Sequence, residues 1–598
     1  MGAGSRRVLL RELPAASRPL ATAAAVCVVV GAALPVAFAI ASGAAVAAVP
    51  TAVRDGTGSG GSHRLFVAVV VVGFLLAAQQ TLAPVQDAVG AMLARRVQRQ
   101  TYRRSMVAAL TPRTIAHLED PELLDLVGAA TILTPGGPST AVRSFLIQWR
   151  RLLSALAALA LVGYFHWWLA VVVLGTELWL LRSNRAMYNQ LIVFRVLQMP
   201  SLRRAVYLRN LAMNPDAAKE TRVFGLGGWV VERFRRAWLG AMTEVWRQRK
   251  GNGLRLATAL APVVAAQLVA AVLLGRAVIH RDIGLGAMVA YAQALLASMQ
   301  LCVAGDDIAV EEGAAVVRAT EELERIVATD ERLHLSGDGA PPDDAPHDEI
   351  RLEGVCFRYA GRDRDVLRDF DLVIPAGRSL AVVGENGAGK TTLVKLIARM
   401  YDPTAGRILV DGHDLRDLDA AAWQRRVAAV FQDFVRYPLT AAENVGFGAC
   451  RGPAHDAAAA RANALELIEG LPRKWETILT RDFEGGVDLS GGEWQRLALA
   501  RALFAAAATP SGLLILDEPT AHLDARAEAS FIEGFLDVTR GCTTIVISHR
   551  FSTVRRADHI VVVDGGRVTE SGTHDELMAA GGHYARMFGV QAERFAGA

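Results

Sequence analysis

The residues from Ala21 to Val49 carry no charged side chain. About 20 apolar residues are enough to cross the hydrocarbon core of a bilayer as a helix. Inside that core only helices and closed barrels satisfy every backbone N–H and C=O. A chain holding such a run, with others after it, is therefore confined to few folds. A cleaved leader has a shorter apolar part and no further apolar runs behind it, so Ala21–Val49 reads as a first span. Arg6, Arg7, Arg11 and Arg18 precede it and put its start on the cytoplasmic side. Leu65 to Gln86 reads as the second span. Between the two, Arg54 to His63 is short, rich in Gly and Ser and poor in basic residues, as an external loop should be.

Charge then decides an ambiguity. The next apolar run, Leu152 to Leu181, could be one long span or a hairpin of two. Its upstream flank carries Arg95, Arg96, Arg99, Arg103, Arg104, Arg113 and Arg143, and its downstream flank runs from Arg182 and Arg185 through Arg249 and Lys250. Two basic flanks both belong inside, so the run must cross twice, turning near Gly163–Trp168. Each arm then extends into its polar flank, leaving Arg150 and Arg151 near the inner surface. Ala257–Ile279 and Ile283–Gly305 complete six spans around the short loop His280–Asp282, with Arg276 close enough to the outer end to snorkel. Six spans return the chain to the cytoplasm. The two long basic loops read as helical extensions of the spans. Within them, Ala116–Leu126 and Met213–Arg222 read as short helices capped by acidic residues.

Hydrophobic residues make up 52% of the 598-residue chain and charged residues only 21%, and the apolar excess lies in the first half. A net charge of +4 is too small for this size to imply nucleic acid, because topology already accounts for the arginines. The five cysteines lie far apart with no CxxC pair, which argues against a metal cluster or a disulfide framework. Ionisable residues inside spans are costly and often functional. Glu177 in the fourth span, Gln79 and Gln80 in the second, and Asp306 with Asp307 at the inner end of the sixth are candidates to line a substrate cavity. The glutamines could instead bond neighbouring helices, and the aspartates could simply mark the exit into the cytoplasm. Glu177 is the strongest single candidate for a cavity or gating role.

The second half is of another kind. A charged helix, Val310–Thr329, leads into the Pro/Gly/Asp-rich stretch Leu335–Pro346, which reads as a linker. The expected division is a membrane domain over 1–330, a linker over 331–348 and an α/β phosphate-loop domain over 349–598. Ser379–Val383 is a buried strand running into Gly384-Glu385-Asn386-Gly387-Ala388-Gly389-Lys390-Thr391-Thr392, of the form GxxxxGK[ST]. In such a loop the glycines let the backbone wrap the β- and γ-phosphates, Lys390 neutralises charge and the Thr391 hydroxyl reaches Mg²⁺. Leu513–Leu516 is a second buried strand ending in Asp517-Glu518. Asp517 suits Mg²⁺, and Glu518 is placed to polarise an attacking water. Upstream, Leu489-Ser490-Gly491-Gly492-Glu493 opens another helix whose N–H groups form a second anion site.

With these motifs in order the chain resembles an ATP-binding-cassette (ABC) exporter half-transporter over essentially its whole length. The fold this implies is an all-α six-helix transmembrane domain followed by an α/β P-loop nucleotide-binding domain. By that resemblance Tyr359 stacks on adenine, Gln432 is the Q-loop glutamine that senses Mg²⁺, Asp524 is the D-loop aspartate and His549 is the switch histidine that holds the γ-phosphate. Ala521 stands where the family usually has Ser. The short inner-loop helices resemble coupling helices, which press on the nucleotide-binding domains. The resemblance implies ATP and Mg²⁺ as cofactors, Glu518, His549 and Gln432 in catalysis, and Ser490, Gly491, Gly492 and Glu493 completing a site held by Lys390 of another copy. It also implies a multi-pass protein of the bacterial inner membrane, with its N-terminus and ATPase domain in the cytoplasm.

No catalytic position is degenerate, which favours a homodimer and leaves a heterodimer with a related half-transporter open. The first span begins near residue 20, leaving no room for a leader peptidase. The expected cargo is a peptide, a lipid or a drug-like molecule moved outward by alternating access. An importer of the same fold, for a siderophore-like substrate, is the alternative.

Overall fold

The computed structural model describes residues 2–56, 60–131, 137–196, 200–214, 217–250, 252–303, 306–509, 512–519, 541–548, 550 and 554–596. These fall into two compact units, Met1–Ala109 with Asp125–Ile326, and Leu110–Leu124 with Val327–Ala598.

The first unit is helical: α1 (Gly2–Ala16), α2 (Arg18–Asp55), α3 (Gly60–Leu110), then α6 (Pro138–Phe165), α7 (Trp167–Val196), α8 (Pro200–Met213), α9 (Ala218–Val223), α10 (Gly227–Lys250), α11 (Asn252–Ile279), α12 (Leu285–Ser298) and α13 (Asp306–Thr329). Of the two intervening helices, α4 (Ala116–Glu119) belongs to the second unit and most of α5 (Pro121–Thr131) to the first. The hairpin expected inside Leu152–Leu181 is present, with α6 and α7 meeting at His166. Among the described residues five helices are long and apolar enough to cross a membrane: α2, α3, α6, α11 and the stretch Leu285–Cys302. The helix α7 lies outside that set because Glu177 and Arg182 interrupt its apolar stretch. The second span and its inner extension form one helix of 51 residues.

Small residues set the closest approach in this unit. A Cβ on Gly43 would lie 2.5 Å from the Gly286 carbonyl oxygen, and one on Gly286 would lie 2.2 Å from that of Gly43. Only glycine lets α2 and α12 touch backbone to backbone, the device that draws helices together without a hydrophobic driving force. Gln79 donates to the Leu34 carbonyl at 3.1 Å, the interhelical bond offered above as its plain explanation, while Gln80 is exposed. Asp307 does not simply exit into solvent. It accepts from Arg6, Gln148 and Arg185, each at 3.0 Å. The side chain of Asp306 lies outside the described residues. The N-terminal arginines also do more than set topology, because α1 is tied to the acidic α13 by Arg11–Glu321 at 2.8 Å and by Ser5–Glu311 at 2.6 Å. Arg104 bridges Glu12 and Glu324.

In the second unit an antiparallel sheet runs in the order β2 (Leu367–Pro375), β1 (Glu349–Phe357), β4 (Ala405–Val410), β5 (His413–Asp414). A second sheet runs β10 (Arg567–Gly572), β9 (His559–Asp564), β3 (Ser379–Val383), β8 (Thr543–Ile547), β7 (Leu513–Asp517), β6 (Val427–Val430). The strands from β9 to β6 are parallel and β10 closes the edge antiparallel. Their residues are near-continuously apolar because both faces are covered. The helix α14 (Lys390–Ile397) packs into the cluster of Ile350, Phe370, Leu393 and Ile515. A second cluster, around Trp494, Leu497 and Trp475, fixes the Gly491–Ala507 helix.

Two sequence expectations are corrected here. Ala116–Leu126 is not one helix. It breaks at Asp120, since the residue before Pro121 is pushed out of the helical region, and Asp120 instead accepts the N–H of Glu122 at 2.9 Å to start α5. For the second inner-loop helix, Pro215 and Asp216 lie outside the described residues, and Ala217 caps α9 without a side-chain bond. The stretch Leu335–Pro346 is also no loose tether. The fully buried Arg399 donates to the carbonyls of Ser336, Arg416 and Leu418, Arg426 donates to those of Pro342 and Ala345, and Gly339 bridges Leu418.

Candidate functional site

The site grows from the C-terminal edge of β3. The turn Gly384–Gly389 is forced by backbone as well as by composition. A Cβ on Gly384 would lie 2.1 Å from the Val563 carbonyl oxygen, and one on Gly389 would lie 2.6 Å from the Leu367 side chain, with Gly389 at φ 104°. Only glycines fit that tight path. The loop ends as α14 begins, with Lys390 in its first turn. Lys390 Nζ donates to the Gly384 carbonyl at 2.8 Å and to that of Glu385 at 2.9 Å, so its ammonium is curled over the ring of amides that would face phosphate.

Beside it, Thr391 Oγ1 donates to Asp517 Oδ2 at 3.0 Å, and Gln432 Nε2 donates to Glu518 Oε2 at 3.1 Å. The hydroxyl and carboxylate expected to hold Mg²⁺ are therefore in contact, and so are the two residues expected to sense and activate water. Glu518 holds φ 50°, a left-handed conformation uncommon for a residue with a side chain. Its N–H is anchored on the Ile547 carbonyl at 2.9 Å. Burial pushes the Asp517 carboxyl up from its ordinary value, and the neighbouring negative charges of Glu518 and Asp433 add to this against the Thr391 bond and Lys390. Burial likewise lowers Lys390 despite the carboxylates of Glu518 and Asp517. A crowded acidic cluster beside a hydroxyl is a donor set that a hard divalent cation fits, since oxygen ligands and charge relief are what it supplies. The residues fit magnesium, which Thr391, Asp517 and Gln432 would hold if it bound here.

Tyr359 lies on the same side. Its hydroxyl is 3.0 Å from Thr392 Oγ1, and its ring packs edge-on against Phe357 and Tyr401. Lys395 Nζ stands 5.6 Å from the ring centroid. Sequence reasoning missed Lys395, and with it Tyr401 and Glu119. Glu119, at the end of α4, accepts from Lys395 at 2.6 Å and from the Tyr401 hydroxyl. Burial opposes ionisation of Glu119, yet those two donors hold its carboxyl below its usual range. A signal was available, because the chain has only five lysines and two of them lie in this one helix.

The second anion turn is elsewhere in the unit. Ser490 caps the Gly491–Ala507 helix through a reciprocal box, its hydroxyl accepting the Glu493 N–H while Glu493 Oε2 accepts the Ser490 N–H at 2.7 Å. Trp494 donates to Asp488, and the buried Gln495 donates to the Pro519 carbonyl just past Glu518. Among the described residues no hydrogen bond or ion pair joins Ser490–Glu493 to the phosphate loop. Asp524 and His549 lie outside the described residues.

Residues 367–521 match the family model described as "ABC transporter". Over 375 residues the chain is 36% identical to an ATP-dependent lipid A-core flippase of Alkalilimnicola ehrlichii, covering 62% of each protein. Over 265 residues it is 42% identical to the human mitochondrial potassium channel ATP-binding subunit, covering 44% of this chain and 35% of that one. The chain thus spans less than two thirds of the length of these curated relatives. A solved structure of a bacterial Atm1-family ABC exporter with ATP bound superposes with a TM-score of 0.72 at 23% identity, over 96% of this chain and 98% of that one. Residues 367–521 thus carry the ABC transporter domain, and the chain as a whole has the fold of that ABC exporter, a helical domain followed by the ATPase-type domain.

Proposed function

We propose that the chain is an ATP-driven exporter that works as a dimer, preferentially of two identical copies, in a bacterial cytoplasmic membrane. The observation that carries this reading is the pairing of Thr391 with Asp517 and of Gln432 with Glu518 beside the phosphate loop. In this reading the N–H groups of Gly384 to Gly389 cradle the phosphates, and Lys390 leaves the loop carbonyls to meet them. Tyr359 stacks on adenine next to Thr392. Thr391, Asp517 and Gln432 would hold magnesium, which would supply charge neutralisation at the phosphates. Glu518 orients the attacking water and draws its proton, with Gln432 holding the carboxylate in place. Ser490, Gly491, Gly492 and Glu493 of the second copy close the site, and Asp524 and His549 complete it. ATP joins the ATPase domains and hydrolysis parts them, so the inner loops expose the membrane cavity alternately to each side.

The cargo fits an amphipathic lipid, peptide or natural product. A cavity of about 300 Å³ in the membrane domain is lined by three bases, Arg143, Arg150 and Arg151, against one acid, Asp87, together with the apolar Ala24, Val28 and Leu146. Such a lining suits an acidic head on an apolar body, as the flippase relatives' names also suggest. Glu518→Gln should retain ATP while lowering hydrolysis by at least about 100-fold, the share a positioned general base supplies. Wild-type-like turnover in that variant rejects the assignment. ATPase stimulation of the reconstituted protein across acidic lipids, peptides and cationic drugs will sort the cargo class.

A further inference from the structure

Glu177 is fully buried in α7, in the membrane domain and far along the chain from every residue of the ATP site. Its Oε1 lies 2.7 Å from Ser298 Oγ at the end of α12, while its Oε2 is buried with no hydrogen-bond partner among the described residues. Ser298 Oγ also lies 2.8 Å from the Leu295 carbonyl oxygen, one helical turn back. A serine hydroxyl has one hydrogen, and both an ionised carboxylate and a carbonyl only accept. The two short contacts are satisfied together when Glu177 carries the proton. The carboxylic acid then donates to Ser298 Oγ, and Ser298 donates to Leu295. Leaving an isolated carboxylate in this environment would be far more costly than leaving a neutral acid with its carbonyl oxygen unpaired.

Among the described residues no counter-charge bonds Glu177. The helix α7 packs on α6, α11 and the turn after α12. From that last element the facing titratable group is the half-buried thiol of Cys302, and about one turn along α7 from Glu177, Leu180 packs on Ala259 and Val263 of α11. The remaining charged groups on the packed helices are Arg143, Arg150 and Arg151 of α6 and Arg255 and Arg276 of α11, with Arg182, Arg185 and Arg195 on α7 itself, the side chain of Arg195 lying outside the described residues. None of the described ones bonds Glu177, and Arg185 is engaged by Asp307.

We infer that Glu177 is a proton-binding site that latches the fourth and sixth spans. In the packed state it holds H⁺ and bonds Ser298. When the two spans part and water enters, the acid gives H⁺ to water and the carboxylate remains, and closure takes one proton back. Opening therefore releases one proton, and the ratio of parted to packed forms rises tenfold per pH unit between the two pKa values.

Spin labels at the exposed positions Trp179 and Leu296, in the full chain with its native cysteines replaced and in lipid nanodiscs, report the separation by pulsed electron resonance. The wild-type chain should shift from the short to the long distance as pH rises from roughly 5 to 9. Glu177→Gln, isosteric and permanently neutral, should stay at the short distance throughout. Ser298→Ala, which removes the acceptor of the acid proton, should shift the transition to lower pH. A wild-type distance that ignores pH, a Glu177→Gln chain with the wild-type slope, or an unmoved Ser298→Ala curve each overturns the inference. Should Glu177→Gln fail to assemble, the other two curves still decide. ATP hydrolysis plays no part in the readout, so failure here leaves the exporter reading standing.

Discussion

The ATPase domain contains two glycine-rich turns that open helices, and they are finished differently. The phosphate loop is rooted in its surroundings. Lys390 bonds the loop carbonyls, Thr391 reaches Asp517 on another strand, and Gln432 reaches Glu518 next to it. The Ser490 turn spends its hydrogen bonds on itself through the Ser490–Glu493 box, at a helix start that carries partial positive charge. In the proposed dimer the first turn would hold an anion by itself, and the second would be complete only against an anion held by the other copy. The sharpest way to break this comparison is to cripple each turn in a different chain. Ser490→Arg in both copies should abolish hydrolysis, a loss of at least about 100-fold for a displaced phosphate-binding element, and so should Lys390→Ala in both. Mixed dimers of the two variants rebuild one intact site and should recover a substantial part of the wild-type rate. Mixtures that stay dead would mean that both turns serve the same chain's ATP.

Asp517 sharpens the contrast by its proton. Its folded pKa is raised by burial first and by Glu518 and Asp433 next, so the folded state binds this proton more tightly than the unfolded chain does. The sign follows from linkage. Stability from this group is present below the unfolded carboxylate value and is lost as pH rises through the raised folded value. Without nucleotide, Asp517→Asn should therefore melt higher than wild type at neutral pH, by about 1 kcal/mol, and the gap should close under acid. The same variant should lose Mg²⁺-dependent hydrolysis. Calorimetry across pH separates the two effects, and a variant no more stable than wild type at neutral pH would refute the charge-crowding account.

Much of this was legible in the sequence, because it rests on short-range rules. Basic flanks on both sides of Leu152–Leu181 require a return, and the helices do break at His166. The pattern GxxxxGK[ST] requires a strand before it and a helix after it, and β3 and α14 provide them. What stayed hidden depends on distant partners. Nothing about Leu335–Pro346 tells a reader that Arg399 and Arg426 will clasp its carbonyls. Asp307 looked like a span's exit because its three partners lie on α1, α6 and α7, far away in sequence. The break in the first inner-loop helix was legible from Pro121 and was overlooked.

The two inner-loop helices repeat the lesson of the two turns on a smaller energy scale. The first, α4, is built into the ATPase domain through Glu119, which takes bonds from Lys395 and Tyr401, while Ile115 and Arg113 make backbone contacts with Met400 and Gln424. The second, α9, has no buried residue, and Val223 and Phe224 beside it are 81% and 69% exposed. If α4 is a finished contact, weakening Glu119 should be mild and salt-sensitive. The Glu119–Lys395 pair is partly exposed, and such pairs contribute about 0.5–1 kcal/mol. Glu119→Gln should therefore lower cargo-stimulated hydrolysis by only about two- to fivefold at low salt, with the difference fading at high salt. Reversing both charges, Glu119→Lys with Lys395→Glu, should restore part of it. Since Lys395 also stands over Tyr359, the single change should alter the KM for ATP more than kcat. A Glu119→Gln enzyme with unchanged KM and unchanged salt response would show that α4 is held by its backbone contacts alone.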